Sequence, residues 1–558
     1  MRLRLAIVLA ALMLVALAAP ARSATNSRVT ADDTSSSYLR YDGQSDDTMA
    51  GCSTGRRSQN EPTVAVDPNN PLIITAGSND YCAAIENGDV WAGYYRSTDG
   101  GLTWQDSLVP GYATDTSPAG LASPAHGKCF AAGDPTQSFD NEGRLFYGFI
   151  CFNRTKPING SIYVSTYDQD GASYVRTALV ARGTPSGQFG VGNFQDKVNL
   201  AVDQTGGAND GNVYVAWARY TASSPNNFIQ FSKSTDHGAT FSKPIKASQG
   251  TNGSKSFADL AVGPDGTIYL TWISYHIQHN TPDGIWVTRS TDAGDHWSNP
   301  VLVTEISQFD SSQFSGSGRV DCGDSIFFSC PSGLTYSRFG SNSAIAADDN
   351  GVHLVWAARN GDGQAKVFFS NSSDGASWDS PAQIDSVATG HQWTPDIASA
   401  DGVITAVFYD SRSDPSYSPD LPPGDTSTGT NSGDVVHTFA AQSLDGGVTW
   451  TESQLTDHGS NFNWETHGSR RSPFWGDYIY VSAVPGGVFA TWTDSRDLVP
   501  GDDPREFGED EDNDNFDVYQ PCTYVPNDID APSYSSPTID DPCLSQGGLD
   551  QNIYGSGV

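Results

Sequence analysis

This chain is short of positive charge, of long apolar runs and of helical patterning. Its 30 Lys and Arg stand against 65 Asp and Glu, a formal net charge of −35 over 558 residues. Such an acidic surface excludes nucleic acid and anionic lipid as partners and suits a soluble exported protein, expected to be a monomer. Only one stretch, Leu5–Ala19, is long and apolar. It follows Arg2 and Arg4 and runs into the small residues Ala19, Ala21, Ser23 and Ala24, which reads as a secretory signal over residues 1–24. No later run reaches membrane-spanning length, so no membrane span is expected. Losing Arg2, Arg4 and Arg22 with the signal takes the net charge to −38. The chain also lacks Cys-x-x-Cys and His-Glu-x-x-His spacings, and His276, His279, His391 and His467 are scattered. Thiolate and zincin-type metal sites are thereby excluded. The 8 cysteines of an exported chain read instead as disulfides. Cys322 with Cys330 and Cys522 with Cys543 are the close pairs; Cys52, Cys82, Cys129 and Cys151 pair among themselves in an order left open.

What is present is repetition. Ser97-Thr98-Asp99-Gly100-Gly101-Leu102-Thr103-Trp104 returns at Ser234–Phe241, Ser290–Trp297 and Ser443–Trp450, with weaker copies at Asn371–Trp378 and Asp170–Tyr174. In Ser-x-Asp-x-Gly-x-Thr-aromatic, the Ser and Asp side chains bond backbone amides, Gly takes a positive-φ corner, and the aromatic fills space below the turn. A second repeat runs out of phase with it: short apolar strands such as Pro62–Asp67, Pro135–Asp140, Val198–Asp203, Asp259–Gly263, Ala344–Asp348, Asp396–Ala400 and Tyr478–Ser482. Each ends in a tight turn and is followed by an alternating strand, for example Val213–Trp217. A third strand enters the Ser-x-Asp turn and a fourth leaves it. Four antiparallel strands repeated seven times predict an all-β fold, a β-propeller of seven blades with six as the alternative count. The expected organisation is a signal at 1–24, a polar leader at 25–58 and one propeller domain at 59–558. The seventh unit has no Ser-x-Asp turn. Its third strand is expected at Phe516–Gln520 and its outer one at Asn552–Gly555 or in the leader.

In such a fold the starts of the inner strands and the loops after the second strands open on one face, opposite the Ser-x-Asp turns. That face gathers Glu61, Asp134, Asp196, Asp259, Asp396 and Asp477 with Asp80, Arg154, Arg219, Arg359, Arg412 and Arg496. Arg412 and Arg496 lie in matching Asp-Ser-Arg copies. Carboxylates and guanidinium forks at one mouth suit recognition of a sugar or a carboxylate, with Arg412, Arg496, Arg471, Glu61 and Asp396 as binding residues. The competing reading is structural: acids at strand starts accept amides and join neighbouring blades, and Asp–Arg pairs tie loops together. The aromatics at second-strand ends (Trp217, Trp272, Trp356, Phe408 and Trp492) recur at one repeat position and read as core. The acidic insertion at 501–515 offers hard oxygen ligands for Ca2+ but lacks the spaced Asp-x-Asp-x-Asp-Gly loop. It reads as a solvated loop with Ca2+ as the alternative, and no cofactor is required. The Pro-, Ser- and Gly-rich insertion Asp414–Ser432 rims the same mouth and is placed to gate it.

The Ser-x-Asp-x-Gly-x-Thr-Trp turns resemble the Asp-boxes of the sialidase-like β-propeller superfamily, and Gly88–Gly101 is especially similar to the first blade of exo-sialidases. The resemblance covers nearly the whole mature chain and implies a secreted glycoside hydrolase acting on a glycan or glycoconjugate. It further implies a tyrosine nucleophile, matched by Tyr478 ahead of the turn Pro485-Gly486-Gly487, with Glu465 as its activating carboxylate. It implies an Asp acid/base, for which Asp80 or Glu86 stands, and arginines that Arg412, Arg470, Arg471 and Arg496 would supply. The chain departs from the family at Asn60-Glu61-Pro62, where an Arg-Ile-Pro is expected, and at Ser78-Asn79-Asp80, where a Glu-x-Arg is expected. Arg56 or Arg57 are the nearest substitutes. Hydrolysis by paired carboxylates, Asp134 with Asp196 or Asp477, is the second catalytic expectation. A non-catalytic glycan- or protein-binding propeller is the alternative to both.

Overall fold

The computed structural model describes residues 26–30, 37–53, 58–83, 90–153, 159–184, 192–221, 227–251, 253–275, 283–307, 342–419, 423, 435–460, 475–497 and 551–558, with the backbone of 320–321 and 329–330. The signal, Arg56, Arg57, Glu86, Arg154, His276, His279, Cys322, Glu465, His467, Arg470, Arg471 and the whole of 501–550 lie outside the described residues, so the pairings of Cys322 and Cys522 do too.

The alternating strands pair as the repeats require. Five separate sheets have four antiparallel strands each, and an eight-stranded sheet consists of two such units joined by one parallel pair, Phe194 with Gly160. The first strands of the units are Gln59–Val66, Ala131–Phe139, Asn193–Val202, Ser254–Val262, Ser343–Asp348, Gln392–Ala400 and Tyr480–Val484. Each adjoins the first strand of the next unit, and Tyr480–Val484 adjoins Gln59–Val66. The arrangement is nearly all-β and propeller-like; no sheet among the described residues closes on itself. Short helices at Asp47–Cys52 and Pro118–Ala122 are the α-helices among the described residues. The second-strand aromatics Trp217, Trp272, Trp356, Phe408 and Trp492 are all buried, as core residues should be.

The last unit differs from expectation. Its third strand is Asn552–Gly557, where Phe516–Gln520, which lies outside the described residues, was expected, and its outer strand is Ser27–Arg28, in the leader as one of the two expected placements has it. Both chain ends therefore complete one sheet, which removes a bare edge. Arg28 secures the join through Asn552 Oδ1 at 2.9 Å. Disulfides Cys52–Cys82 and Cys129–Cys151 settle the order that the sequence leaves open.

The Ser-x-Asp turns do more than close hairpins. Ser97 Oγ donates to Asp99 Oδ1 at 2.8 Å and accepts from Gly101 N at 2.9 Å, while Thr103 Oγ1 donates to Asp99 Oδ2 at 2.6 Å. The turn then packs on the neighbouring sheet: Trp104 meets Phe489, Trp297 meets Phe231, and Trp450 meets Phe369 at ring separations of 5.8, 4.9 and 5.1 Å. Gly101 sits at φ +86°, and a Cβ there would lie 2.3 Å from the Phe489 ring. Gly101→Ala is therefore expected to cost about 2–4 kcal/mol in urea denaturation, from the left-handed backbone plus overpacking. Gly100→Ala, also at positive φ but 3.4 Å from its nearest neighbour, Leu72, should cost about 1–2 kcal/mol from the backbone alone.

Candidate active site at the channel mouth

The site is built on a repeated irregularity. Five first strands lose register with their partners, between Asn60 and Thr63, Gly133 and Thr136, Asp196 and Asn199, Ser256 and Asp259, and Trp393 and Asp396. The residue after each break is left-handed: Glu61, Asp134, Lys197, Phe257 and Thr394, at φ 54°, 50°, 52°, 54° and 50°. Non-glycine residues rarely adopt this conformation, and a bulge that recurs at one place re-aims the side chain it carries. Three of these bulges bring charge together. The side chain two residues further on stands one level deeper in the channel.

At the bulge level Lys197 is the hub. Its ammonium pairs with Asp477 Oδ2 and lies 3.6 Å from Glu61 Oε1, with the Tyr478 ring 4.9 Å and the Phe257 ring 5.3 Å away. Backbone bonds knit the cluster: Asp477 N donates to Glu61 Oε1 at 3.1 Å and Lys197 N to Asp134 Oδ2 at 3.2 Å. Asn79 spans it, donating from Nδ2 to Glu61 Oε2 at 2.7 Å and accepting Asp134 N on Oδ1 at 2.9 Å. Glu61 is 2% exposed and Asp134 9% exposed, while Asp196 is half-buried, so Asp134 and Asp196 are more accessible than Glu61.

Proton affinities follow from this crowding. Burial pushes the Glu61 carboxyl up to about 8; Lys197 opposes the rise, and the charges of Asp134 and Asp477 add to it. Burial raises Asp134 to about 6, and it also raises Asp196. The Glu61 carboxyl hydrogen-bonds to that of Asp134, raising its own proton affinity and lowering its partner's, which makes Glu61 the donor. Burial works against the Lys197 ammonium, but Asp477, Glu61, Asp134 and Asp196 outweigh it and hold the cation well above its ordinary range.

The other expected site residues fall elsewhere. Asp80 is fully buried, accepting from Tyr95 OH at 2.6 Å, Tyr38 OH at 3.0 Å and Cys82 N at 2.8 Å. Arg412 folds back on Asp410 at 2.6 Å and Glu452 at 2.7 Å and lies over the Phe439 ring. Arg496 does the same with Asp494 at 2.7 Å and Asp457, over Tyr554. Asp396 accepts Val481 N at 2.7 Å, one level deeper than the cluster. Tyr478 meets Lys197 with its ring. Its hydroxyl is buried without a hydrogen-bond partner among the described residues, and burial, with Glu61 and Asp134 adding, raises the phenol well above its ordinary range. Glu465 and Arg471 lie outside the described residues, as does the acidic insertion. No group of three or more His, Cys, Asp or Glu among the described residues is placed to hold a metal ion.

Sequence reasoning overlooked Lys197 and Asn79. A signal for Lys197 was available: it stands five residues before Val202, as Glu61 stands before Val66 and Asp134 before Phe139.

Solved structures similar to this chain include sialidases and arabinan-degrading glycosidases. The "Hadza microbial sialidase Hz136" is 16% identical with a TM-score of 0.39, over 77% of this chain and 72% of its own. The intramolecular trans-sialidase from Ruminococcus gnavus is 12% identical with a TM-score of 0.39, over 64% and 91%. The GH93 α-L-arabinofuranosidase of Fusarium graminearum is 11% identical with a TM-score of 0.40, over 64% and 89%. No protein-family model matches the chain, and no curated protein matches it. Among the described residues no helix is long and apolar enough to cross a membrane.

Proposed function

We propose that this is a secreted, carbohydrate-active β-propeller, seven blades closed into a ring, that hydrolyses glycosides at the Glu61–Asp134–Asp196–Asp477 cluster. The feature that carries the reading is the gathering of four acids from separate strand starts around the Lys197 ammonium. Asp134 and Asp196, the more exposed acids of the cluster and in hydrogen-bond contact with each other, act as one unit that protonates the leaving oxygen and then takes a proton from the attacking water. Glu61 keeps its proton and sets the charge of Asp134. Lys197 neutralises part of the cluster and fixes its geometry. The adjoining of the first and last inner strands supports ring closure, and the disulfides suit an oxidising compartment.

One observation favours a second reading, a non-catalytic glycan- or protein-binding propeller. Glu61 and Asp134 each accept an amide from a neighbouring sheet, which is the work of structural acids. A panel of chromogenic glycosides, sialosides included, separates the two. The hydrolase reading expects turnover of at least one glycoside, lost in Asp134→Asn and retained in Tyr478→Phe. Sialoside turnover lost in Tyr478→Phe would move the chemistry to the tyrosine. No turnover, with retention on a glycan array, would make the protein a binder.

A further inference from the structure

Below the mouth the channel narrows at a tier formed two residues past the bulges. Asn199, Asp259 and Asp396 stand there with Tyr480, and all four line both a small upper compartment of about 60 Å3 and a lower chamber of about 520 Å3. The chamber has the size of a small-molecule site, which typically spans about 300–1,000 Å3.

Its polar groups are left wanting. Asp259 accepts Leu260 N at 2.9 Å and Ile345 N at 2.7 Å, and Asp396 accepts Val481 N at 2.7 Å, yet neither is in an ion pair among the described residues. Lys197 also lines the upper compartment but is turned to Asp477 and Glu61. Burial therefore raises Asp259 to about 7 and raises Asp396 well above its ordinary range, with the Asp259 charge adding to the rise of Asp396. A cation seated between them would relieve both, and their oxygens retain lone pairs beyond the amides they accept. Asn199 is 7% exposed; its Nδ2 donates to Tyr480 OH at 3.0 Å, and its Oδ1 has no partner among the described residues. Gln137, also 7% exposed, lines the chamber, and neither of its carboxamide atoms has a partner among the described residues. Buried amides are normally satisfied, and an orphaned one points to an occupant. Between these groups the wall is made of small apolar side chains, Ala201, Ala261, Ala347 and Ala398 among them.

We infer that this waist and chamber bind a small organic cation: a protonated primary amine on a short aliphatic chain that ends in an uncharged polar group. The three N–H donors of an ammonium match three acceptors, Asp259, Asp396 and Asn199 Oδ1. The aliphatic chain lies along the alanines, and the far polar group meets the carboxamide of Gln137, which offers both a donor and an acceptor. A bare metal ion would leave most of the chamber and all of Gln137 unused. Lys197 and Tyr478 of the mouth cluster line the upper compartment but not the lower chamber, and the inference does not depend on the hydrolase reading.

Calorimetric titration of the mature protein with aminopentanol, with pentanediol as the neutral match and CaCl2 as the metal control, tests it at about 0.15 M salt, where long-range surface attraction is screened. One aminopentanol per chain is expected, with no pentanediol binding. Asp396→Asn keeps an oxygen for Val481 N and should weaken aminopentanol roughly tenfold or more through loss of a charge-assisted bond. Gln137→Leu should weaken it by roughly threefold to tenfold and leave Tm unchanged or higher, because an unpartnered buried amide contributes nothing to the empty fold. Equal binding of amine and diol, no binding, or weak multiple binding indifferent to Asp396→Asn would overturn the proposal. Stoichiometric Ca2+ binding abolished by Asp396→Asn would replace it with a metal site.

Discussion

Hydrolysis of a responsive glycoside is expected to follow a bell-shaped pH profile, rising through about 6 and falling through about 8. The rise follows ionisation of Asp134, whose buried carboxyl is ineffective as a base while it holds a proton. The fall follows loss of the proton that Glu61 donates to Asp134, which adds a further charge to an already acidic cluster. Asp134→Asn still accepts Lys197 N and should fold, but it should lower kcat by roughly 10²–10⁴, the usual worth of a general acid or base. Glu61→Gln retains a donor toward Asp134 that cannot ionise, so its profile should keep the acid limb and lose the fall near 8. Initial rates from pH 4 to 10 on the three proteins check all of this. A profile of the same shape in Glu61→Gln would remove Glu61 from the account.

The second large effect is on stability. Lys197→Met should cost about 3–5 kcal/mol in urea denaturation at pH 8, because removing one partner from a buried charged cluster leaves the others uncompensated. The cost should shrink at pH 5, where the stranded acids take up protons. The sign in the wild type is opposite to that of an ordinary salt-bridged acid. Glu61 binds its proton more tightly folded, with a pKa near 8, than unfolded, near 4.5. Its contribution is therefore fully present below about 4.5 and is lost as pH rises through about 8. Asp134 adds the same trend up to about 6. Wild-type stability should fall between pH 5 and 8, and Glu61→Gln should flatten that fall. A loss of less than about 1 kcal/mol in Lys197→Met, the range of exposed ion pairs, would show the cluster to be solvent-screened.

The contrast between these residues and the arginines shows what could be read in advance. The strands, the Ser-x-Asp corners and the four-stranded units follow from local signals: alternation, a glycine at a positive-φ corner, an aromatic under a turn. Those signals are short-range, and they were legible. The bulges that aim Glu61, Asp134 and Lys197 arise from register between strands, which a single strand's sequence does not carry, so Asp196 was picked out and its neighbour Lys197 passed over. The six acids at strand starts looked equivalent, but Asp259 and Asp396 stand two residues past their bulges and so lie deeper. Arg412 and Arg496 were visible as Asp-Ser-Arg copies. Each guanidinium turns back on the Asp of its own copy, and that choice depends on Glu452, Asp457 and the rings of Phe439 and Tyr554 from other strands. In the last sheet the leader is one of the two expected sources of the outer strand, and Ser27–Arg28 fills that place. Asn552–Gly557 lies one strand further in than expected, because the order of strands from opposite ends of the chain is set by pairing that no local pattern carries.

The account's central claim is that Glu61 keeps its proton at neutral pH beside an ionised Asp134. Infrared difference titration of wild type against Glu61→Gln tests it most directly, through the carbonyl stretch of a protonated carboxylic acid. The account predicts a band that persists at pH 7, disappears as pH rises through about 8, and is missing in Glu61→Gln. A wild-type band already gone by pH 5 would contradict it, because Glu61 would then be an ordinary ionised acid with no proton to donate to Asp134.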